Sequence, residues 1–394
     1  MKRSGIDKMI CEQESAGSLS REIIESIQLK KLNGLLQREK QQGRYYSGLP
    51  SEVQSLEELS TFPFTTDEDL AANAPGMLLV SQAYVQRVLS DATSGTTGSA
   101  KRVFYTEKDC ENTIRLFEAG IGEFVSEGNS TMICMPFSGA FGLGELIAEA
   151  VRRLGARPIK TGTGKTYGEI QKVLENEKPD TFIGMPAHLL GILRLFGKCG
   201  LERALVSGDA CPDTVLSECE KLLGTRLYPH YGSREMGLGG AICCSAHEGM
   251  HLRENHVIAE IIDGNGRVLP YGEYGELVIT TIGMEALPLI RYRTGDYTRI
   301  LPFDCPCGSS VLRLDTIHRE KTADIEKTDN IVFSFPGVID YMAESSGEGL
   351  KLKILSDGTL NAQDIMKLPG VADVEVKTAC QEDRPFYPGK RTII

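Results

Sequence analysis

The amino-acid sequence predicts an α/β fold, and three observations support this prediction. Hydrophobic residues make up 41% and charged residues 25% of the chain, which is ordinary for a globular protein. From residue 131 onward, short apolar runs alternate with stretches whose apolar residues recur at helical spacing. After residue 251 the pattern changes to alternating strands separated by turns. We therefore expect a large N-terminal domain with a mainly parallel sheet and a β-rich subdomain, followed by a small α+β C-terminal domain.

Hydrophobic periodicity predicts the individual elements. Apolar residues three and four positions apart between residues 20 and 44 predict an amphipathic helix. The alternation at this spacing implies right-handed βαβ crossovers and a largely parallel sheet. The predicted strands are 131–135, 182–185 and 203–206, and the predicted helices are 144–153, 167–177 and 187–196.

Two changes in pattern predict the domain organisation. Turn sequences at 263–266 and 271–273 separate the strands of the β-rich subdomain, which we expect to span about 243–315. A charged stretch at 316–321 precedes a tail with its own short strands and helices. We place a boundary there, so that residues 1–317 form the large domain and residues 318–394 form the small C-terminal domain.

Charge and composition exclude several classes of protein. The formal net charge of -11 argues against general binding to nucleic acid, which requires clustered Lys and Arg. A polar N-terminal stretch and the absence of a long apolar run lead us to expect a cytoplasmic protein with no membrane segment. Eleven cysteines, some isolated and some in close groups, indicate buried thiols and a metal site rather than disulfides.

The most informative run of residues is rich in glycine and hydroxyl side chains. It extends from Thr93 to Lys101 with the sequence TSGTTGSAK. Glycines and small hydroxyl residues bring backbone N–H groups and hydroxyls close to phosphate oxygens, and a lysine adds positive charge. A flexible polar turn is the alternative interpretation. The run is not a Walker loop, because the required glycine five positions before a Gly-Lys pair is missing.

Two later runs carry further candidate groups. Residues 228–235, YPHYGSRE, offer an aromatic ring that could stack on a base and a carboxylate, Glu235, that could hold the magnesium of Mg-ATP. Residues 291–296, RYRTGD, offer a carboxylate, Asp296, that could accept both hydroxyls of a ribose. Taken singly, each run is also consistent with an ordinary polar turn.

In this order and spacing, the three runs together resemble the signature of the adenylate-forming superfamily of acyl-CoA synthetases. The likeness is strongest to the phenylacetate-CoA ligase branch. It includes residues 62–70, FPFTTDEDL, and residues 288–296, PLIRYRTGD. The resemblance extends from about residue 35 to the end of the sequence, and it implies both the fold and the reaction type.

The resemblance also implies roles for individual residues. Lys390 matches the C-terminal lysine that stabilises charge during adenylation, although a solvated terminal lysine is an equal alternative. Arg319 matches an arginine of the hinge region, and the resemblance implies that residues 318–394 form a small mobile α+β lid that rotates at this hinge during the reaction. Glu235 and Asp296 would bind magnesium and ribose. The ATP phosphates would contact Thr93, Ser94, Gly95, Thr96, Thr97, Gly98 and Lys101, and the adenine would be framed by Ser207, Gly208, Asp209, Tyr228, His230, Tyr231, Gly232 and Ser233.

The implied activity is the activation of a carboxylic acid by ATP and its transfer to a thiol. The expected cofactors are ATP, Mg²⁺ and coenzyme A, and the expected partners are the acid and coenzyme A. Transfer of the acyl or adenylyl group to a carrier protein or a cofactor hydroxyl is one alternative, and a non-catalytic nucleotide-binding protein is another. We also consider a homodimer.

Two departures from the family pattern place the acceptor in question. The family usually has Thr or Ser immediately before the magnesium glutamate, whereas this chain has Arg234 there and a hydroxyl one step earlier, at Ser233. Residues 319–324, REKTAD, also lack the usual paired acids directly after the arginine.

A group of cysteines and histidines predicts a zinc site. Cys243, Cys244, His247 and His251 lie in one segment, and Cys305 and Cys307 follow about fifty residues later. Thiolate and imidazole ligands from two short loops suit tetrahedral zinc, although ordinary reduced cysteines are the alternative. The resemblance selects Cys244, His251, Cys305 and Cys307 as the four ligands. Four protein ligands would make the site structural.

An acyl pocket is predicted after the strand at 131–135, where α/β sheets open their crevices. Phe137 and Phe141 could line an aryl or acyl pocket, with Met236 and Gly237 on the opposite wall. Plain core packing of two aromatic residues is the favoured alternative. The sequence does not name the acid, and an aryl acid is the family-level expectation.

Overall fold

The computed structural model describes residues 4–90, 101–319 and 323–394. The predicted phosphate-binding residues Thr93 to Gly98 therefore lie outside the described residues. The chain divides by its contacts into two compact units, residues 1–123 with 230–317 and residues 124–229 with 318–394. The predicted α/β class is confirmed. Within the described ranges, no helix has the length and apolar character needed to cross a membrane.

The helices agree with the predicted positions to within a few residues. Predicted helices 20–44, 144–153, 167–177 and 187–196 correspond to α2, α5, α6 and α7. The described helices are α1 (Gly5–Glu14), α2 (Arg21–Gln42), α3 (Asp67–Met77), α4 (Glu107–Ile121), α5 (Leu143–Arg153), α6 (Tyr167–Glu177), α7 (Pro186–Phe196), α8 (Asp213–Leu223), α9 (Ala323–Val332) and α10 (Ala362–Met366).

The strands agree equally well, since predicted strands 131–135, 182–185 and 203–206 correspond to β3, β5 and β6. The described strands are β1 (Arg87–Ser90), β2 (Arg102–Tyr105), β3 (Ser130–Cys134), β4 (Arg157–Lys160), β5 (Thr181–Gly184), β6 (Arg203–Val206), β7 (Tyr228–Tyr231), β8 (Ala241–Cys243), β9 (Met250–Leu252), β10 (Val257–Ile262), β11 (Gly275–Thr281), β12 (Tyr292–Thr298), β13 (Arg313–Leu314), β14 (His318–Arg319), β15 (Val338–Ser346), β16 (Gly349–Ser356) and β17 (Val371–Thr378).

Threonine capping boxes set the start of three helices. Thr66, Thr106 and Thr166 each accept a hydrogen bond from the backbone three residues later, and the acidic side chain at that later position accepts one in return. The acceptor in α4 is Asp109, which also accepts from the backbone N–H groups of residues 285 and 286. These reciprocal bonds satisfy donors that a helix otherwise leaves unpaired, and they define where α3, α4 and α6 begin.

The second unit contains the parallel sheet. Strands β3, β4, β5, β6 and the first half of β7 pair in parallel in the order β4, β3, β5, β6, β7. Every residue of β5 is buried, as expected for a strand covered on both faces. A second sheet in this unit pairs β15 with β16 antiparallel and β16 with β17 parallel.

The segment 318–394 shares a hydrophobic core with the parallel sheet. Phe182 and Leu190 belong to the same buried cluster as Phe333, Tyr341 and Leu352. The predicted boundary at 317/318 coincides with a boundary between units, but the segment groups with residues 124–229. The difference from the predicted division arises because α9 and β15 bury their apolar faces in this common core. Movement of the segment as a lid stays a prediction.

The first unit is rich in antiparallel strands, and a separate subdomain at 243–315 stays a prediction. The last half of β7 pairs with β8, β8 with β9, and β9 with β13. A separate antiparallel sheet has the order β10, β11, β12. A register shift in β11 interrupts its pairing with β12 close to the residues that precede Asp296. Such an irregularity can redirect a side chain within a sheet.

A buried arginine ties β12 to the loop before α3. Arg291 is 2% exposed and forms two hydrogen bonds of 3.0 Å with the carboxylate of Glu260. Its guanidinium also donates to the carbonyl oxygens of Ser60 and Phe62 and lies 4.2 Å from the centre of the Phe64 ring. The planar, multidentate guanidinium suits such a junction. The runs 62–70 and 288–296, both quoted from the sequence, are therefore direct structural partners.

Candidate active site

Lys101 and Glu235 form the centre of the candidate site in the first unit. Lys101 immediately precedes β2, and Glu235 lies in the turn that follows β7. The distance from Lys101 Nζ to Glu235 Oε1 is 2.6 Å. Burial disfavours the charged ammonium, but the carboxylates of Glu235 and Asp67 outweigh this effect and raise the pKa of Lys101. Burial also opposes ionisation of Glu235, yet the nearby ammonium lowers the pKa of that carboxyl.

Asp67 and Tyr292 complete this cluster. Lys101 Nζ lies 3.0 Å from Asp67 Oδ1 and 3.2 Å from the Tyr292 hydroxyl, and Tyr292 also donates a hydrogen bond to Asp67. No role was predicted for either residue from the sequence. Asp67 lies in the run 62–70 and Tyr292 in the run 288–296, and the resemblance of these two runs to the family was the signal that could have identified them. The Asp67 carboxylate and the Tyr292 hydroxyl can thus neutralise and orient the Lys101 ammonium next to the buried carboxylate of Glu235.

The turn that carries Glu235 is tightly constrained. The backbone N–H of Leu238 donates to the carbonyl oxygen of Ser233 at 2.8 Å, and the Tyr105 hydroxyl donates to that of Arg234 at 2.7 Å. A Cβ atom at Gly232 would lie 2.4 Å from the Leu238 carbonyl oxygen. Only glycine fits there without displacing the backbone. The turn thus places Glu235 inward, while Arg234 is partly exposed.

Tyr231 and Asp296 bring the second and third runs together. The Tyr231 hydroxyl donates a hydrogen bond of 2.6 Å to Asp296 Oδ2, and Asp296 is 1% exposed. His230, next to Tyr231, points to the opposite face of β7 and packs against Phe117 with ring centres 4.8 Å apart. Burial lowers the pKa of His230 to about 3, so the imidazole is neutral at pH 7. Its predicted contact with adenine stays a prediction.

Four predicted adenine-binding residues lie in the second unit, just after or within parallel strands. Ser207, Gly208 and Asp209 follow β6, and Gly208 has a φ of 88° that favours glycine. The carboxylate of Asp209 accepts from the backbone N–H groups of Ala210 and Arg391, both at 2.9 Å. Burial raises the pKa of Asp209 to about 6.

Tyr228, one of the predicted adenine contacts, has a ring that packs within the second unit. Its side chain is buried and stacks on Phe124 with ring centres 4.6 Å apart. One face of the Tyr228 ring therefore packs against another ring. Whether Tyr228 also contacts a nucleotide stays a prediction.

The predicted catalytic residues of the C-terminal segment occupy different environments. Lys390 is exposed, whereas its neighbour Arg391 is buried. Arg319 lies in β14 and is partly buried, and its backbone N–H donates to Glu326 Oε1 at 3.3 Å. The structure thus fixes the backbone next to Lys390 while leaving the lysine side chain accessible to solvent.

The predicted acyl-pocket residues are distributed over both units. Phe137 and Phe141, in the second unit, follow β3 and are partly buried. Lys160 Nζ lies 5.8 Å from the centre of the Phe137 ring. Met236 and Gly237, in the first unit, are buried directly after Glu235. Their assignment to a pocket stays a prediction.

The four predicted zinc ligands lie together in the first unit. The ligand atoms of Cys244, His251, Cys305 and Cys307 are all within 4.8 Å of one another. The sulfur atoms of Cys244 and Cys305 are 3.7 Å apart, and Cys307 Sγ lies 3.4 Å from His251 Nε2. Cys243 does not belong to this group. Its Sγ atom lies 3.8 Å from His247 Nδ1.

The spacing of these atoms fits a tetrahedral zinc ion. Zinc–sulfur bonds of about 2.3 Å and zinc–nitrogen bonds of about 2.05 Å place two sulfurs about 3.8 Å apart, and sulfur and nitrogen about 3.6 Å apart. Burial lowers the pKa of His251 to about 4, which keeps the imidazole neutral as a ligand requires. Burial raises the pKa of Cys244 to about 12, so a bound cation would be needed to hold the thiolate form.

Comparison with known proteins defines the class to which this site belongs. Residues 92–285 match the family of AMP-binding enzymes, and this stretch contains Lys101 and Glu235. The chain belongs to the adenylate-forming superfamily that this family represents.

Curated relatives place the chain in the phenylacetate-CoA ligase-like branch. It is 34% identical over 281 residues to phenylacetate-coenzyme A ligase of Aromatoleum evansii and 33% identical over 264 residues to that of Pseudomonas putida. These matches cover 68% and 64% of this chain and 62% and 60% of the relatives. The matched segment therefore spans about three fifths of the relatives' own length.

Solved structures support the fold. A crystal structure of 2-hydroxyisobutyryl-CoA ligase in the postadenylation state, in complex with 2-HIB-AMP, is similar with a TM-score of 0.74 and 17% identity. The match covers 93% of this chain and 88% of that chain. A benzoate CoA ligase from Burkholderia xenovorans LB400 matches over 74% of this chain and 65% of that chain with a TM-score of 0.52 and 16% identity.

Proposed function

We propose that this protein is an ATP-dependent ligase that activates a carboxylic acid as an acyl-AMP and transfers the acyl group to coenzyme A. The observation that carries the proposal is the 2.6 Å ion pair between Lys101 and Glu235 inside the matched family region. It joins the end of the glycine-rich run to the candidate magnesium ligand. The curated relatives, phenylacetate-coenzyme A ligases, support the reaction type.

The acid must be activated because a carboxylate is a poor electrophile, and the first half-reaction requires electrostatic help because the carboxylate and ATP are both negatively charged. A carboxylate oxygen of the acid attacks the α-phosphorus of ATP, and pyrophosphate leaves. Lys101 would neutralise phosphate oxygens together with Thr93 to Gly98, and Lys390 would stabilise the charge that develops. Glu235 offers hard oxygen ligands for Mg²⁺, which would supply further positive charge beside the phosphates.

The ribose and the adenine of the nucleoside would be held by different groups. Asp296 offers a buried carboxylate for the ribose hydroxyls, with Tyr231 fixing one of its oxygens. We assign adenine contacts to residues 207–209 and 228–233, where the backbone is constrained by Gly208 and Gly232. In the second half-reaction the thiolate of coenzyme A attacks the acyl carbon and AMP leaves. Arg319 would approach the nucleotide between these steps.

We propose a structural zinc ion bound by Cys244, His251, Cys305 and Cys307. The ligand spacing and the burial of three of these residues support it. Zinc with four protein ligands has no open position, so its contribution is to stability rather than chemistry. The ion would connect the end of β8 and β9 to the loop after β12, the strand that carries Asp296.

The substrate is proposed to be an aryl or related carboxylic acid, with Phe137, Phe141, Met236 and Gly237 as pocket residues. An aromatic lining would bury an apolar acid and leave its carboxylate towards the phosphates. The resemblance to phenylacetate-coenzyme A ligases supports an aryl acid as the first compound to examine.

A pyrophosphate-release screen over a panel of carboxylic acids, with and without coenzyme A, tests the proposal. We expect one group of acids to stimulate release, and thioester and AMP to accumulate when coenzyme A is added. Lys101→Met serves as the inactive control. Acid-dependent release without coenzyme A turnover would select a carrier protein or hydroxyl acceptor. ATP binding with no release for any acid would select the non-catalytic alternative.

A further inference from the structure

The chain around Lys390 is fixed on both sides. Before the lysine, the backbone N–H of Phe386 donates to Asp340 Oδ2 at 2.7 Å, and the Tyr387 carbonyl oxygen lies 2.7 Å from His188 Nε2. After it, Ile394 N donates to the carbonyl oxygen of Ala343 at 2.9 Å. Segments near a chain end are usually poorly ordered unless they are tied down. These bonds show that the backbone on both sides of Lys390 is held in place.

The strongest of these anchors is Arg391, the residue next to Lys390. Its Nε lies 3.0 Å from Asp329 Oδ1, one terminal nitrogen lies 2.8 Å from Asp340 Oδ1, and the other donates to the Tyr341 carbonyl oxygen at 3.0 Å. The guanidinium carbon lies 4.5 Å from the centre of the Tyr341 ring and 5.1 Å from that of Phe333. These contacts thus fix both the position and the orientation of the Arg391 guanidinium.

The backbone of the same residue contacts the loop after β6. The N–H of Arg391 donates to Asp209 Oδ2 at 2.9 Å, while the other oxygen of Asp209 accepts from Ala210 N. Asp209 belongs to the run 207–209, to which adenine contacts are assigned. One carboxylate therefore links the proposed nucleotide loop to the residue that follows the proposed adenylation lysine.

We propose that Arg391 and Asp209 are positioning residues that hold Lys390 in register with the nucleotide loop during acyl-AMP formation. This inference rests on the proposed function. Arg391 fixes the segment to the core of residues 318–394, and Asp209 fixes it to the loop at 207–209. The backbone that carries Lys390 is then already in place when the α-phosphate arrives. If the segment moves between half-reactions, the bond from Arg391 N to Asp209 is one of those that must break, together with the bond between Tyr387 and His188.

The size of the expected effect follows from the steep dependence of the reaction rate on the position of a catalytic group. Displacement of a catalytic group by about 1 Å can cost about 100-fold in rate. Lysine at position 391 would keep one positive charge, but a single ammonium cannot reproduce the planar fork that meets Asp329, Asp340 and the Tyr341 carbonyl together. In Arg391→Lys, the segment that carries Lys390 would stay close to its position, but it would be held there less precisely.

The first test compares the two half-reactions in Arg391→Lys, with Arg384→Lys as the matched control. Arg384 is an exposed arginine of the same segment. In Arg391→Lys we expect kcat for acid-dependent pyrophosphate release to fall at least about 10-fold, with KM for ATP within about 2-fold of wild type. Thioester formation from supplied acyl-AMP should keep at least half of its rate, and Arg384→Lys should match wild type in both. Equal loss in both half-reactions, or no loss, would overturn the inference.

A second test does not depend on activity, and it covers the case in which Arg391→Lys fails to fold. Hydrogen–deuterium exchange of the C-terminal peptide covering 388–394 is measured in wild type, Asp209→Ala and Asp209→Asn. We expect faster exchange of this peptide in Asp209→Ala and near wild-type exchange in Asp209→Asn, because an amide oxygen can still accept from Arg391 N. Unchanged exchange in Asp209→Ala would overturn the role of Asp209.

The two tests separate failure of the inference from failure of the proposed function. If wild type releases no pyrophosphate with any acid, the proposed function fails, whatever the exchange data show. If wild type is active and the Arg391 variant loses neither half-reaction selectively, only the positioning role fails.

Discussion

Lys101 Nζ and Glu235 Oε1 lie 2.6 Å apart, and both side chains are largely buried. A buried carboxylate is costly unless a counter-charge and hydrogen bonds compensate for the lost hydration. The lowered pKa of Glu235 and the raised pKa of Lys101 both show that this pair is charged at pH 7. The end of the glycine-rich run and the turn after β7 are therefore joined electrostatically.

Glu235→Gln should lower the rate of acid-dependent pyrophosphate release by about 100-fold, because the amide keeps the size of the side chain but offers no negative charge to Mg²⁺. The concentration of Mg²⁺ needed for half-maximal activity should rise. Steady-state rates across a magnesium titration measure both effects. Glu273→Gln, an exposed glutamate of the same unit, is the control and should behave like wild type. An unchanged magnesium requirement in Glu235→Gln would contradict the assignment.

Asp296→Ala should weaken ATP binding, since the ribose would lose a charge-assisted acceptor worth about 1.5 to 3 kcal/mol. Calorimetric titration of the folded variant with ATP measures the change. Tyr231→Phe removes only the hydroxyl that donates to Asp296, so its effect should be smaller than that of Asp296→Ala. If a folded Asp296→Ala protein binds ATP as wild type does, Asp296 does not contact the ribose.

Lys390→Ala should lose adenylation by a large factor, about 100-fold or more, while thioester formation from supplied acyl-AMP survives. The two half-reactions are assayed separately, and Lys351→Ala, an exposed lysine of the same unit, is the control. Equal loss in both half-reactions would indicate a folding defect or a shared role. Full retention of both would show that Lys390 is only a surface residue.

Purified protein should hold close to one zinc ion per chain, and Cys305→Ser should lower both zinc content and thermal stability. Metal analysis of protein purified without chelators, together with thermal unfolding, provides the measurement. Cys199→Ser is the control, because Cys199 is exposed and belongs to the other unit. If zinc persists in Cys305→Ser but disappears in His247→Ala, the site exists with a different set of ligands. Protein without zinc would contradict the site.

The elements that the sequence predicted well are those whose signal is local. The strands β3, β5 and β6 are short apolar runs, and α6 begins directly after Thr166, which has an acidic residue three positions later. Such patterns depend on neighbours in sequence, and the structure places them within a few residues of the predictions. The four predicted zinc ligands likewise carry distinctive chemistry in two short segments, and the structure brings them together.

The features that the sequence did not predict depend on distant partners. Asp67 belongs to the candidate site because Lys101 and Tyr292, which are distant in the sequence, lie beside it in space. The stacking of Tyr228 on Phe124 is equally invisible in the sequence. The grouping of residues 318–394 with residues 124–229 follows from a common core, whose members are far apart along the chain.

The junction at Arg291 has a consequence for protein engineering. The backbone N–H of Thr65 donates to the carbonyl oxygen of Arg291, and that of Arg293 donates to the carbonyl oxygen of Thr65, while the Arg291 guanidinium reaches Ser60 and Phe62. A graft of residues 288–296 alone into a related protein would leave the buried guanidinium without these carbonyl acceptors. Chimeras between relatives should therefore exchange residues 60–65 and 288–296 as one module.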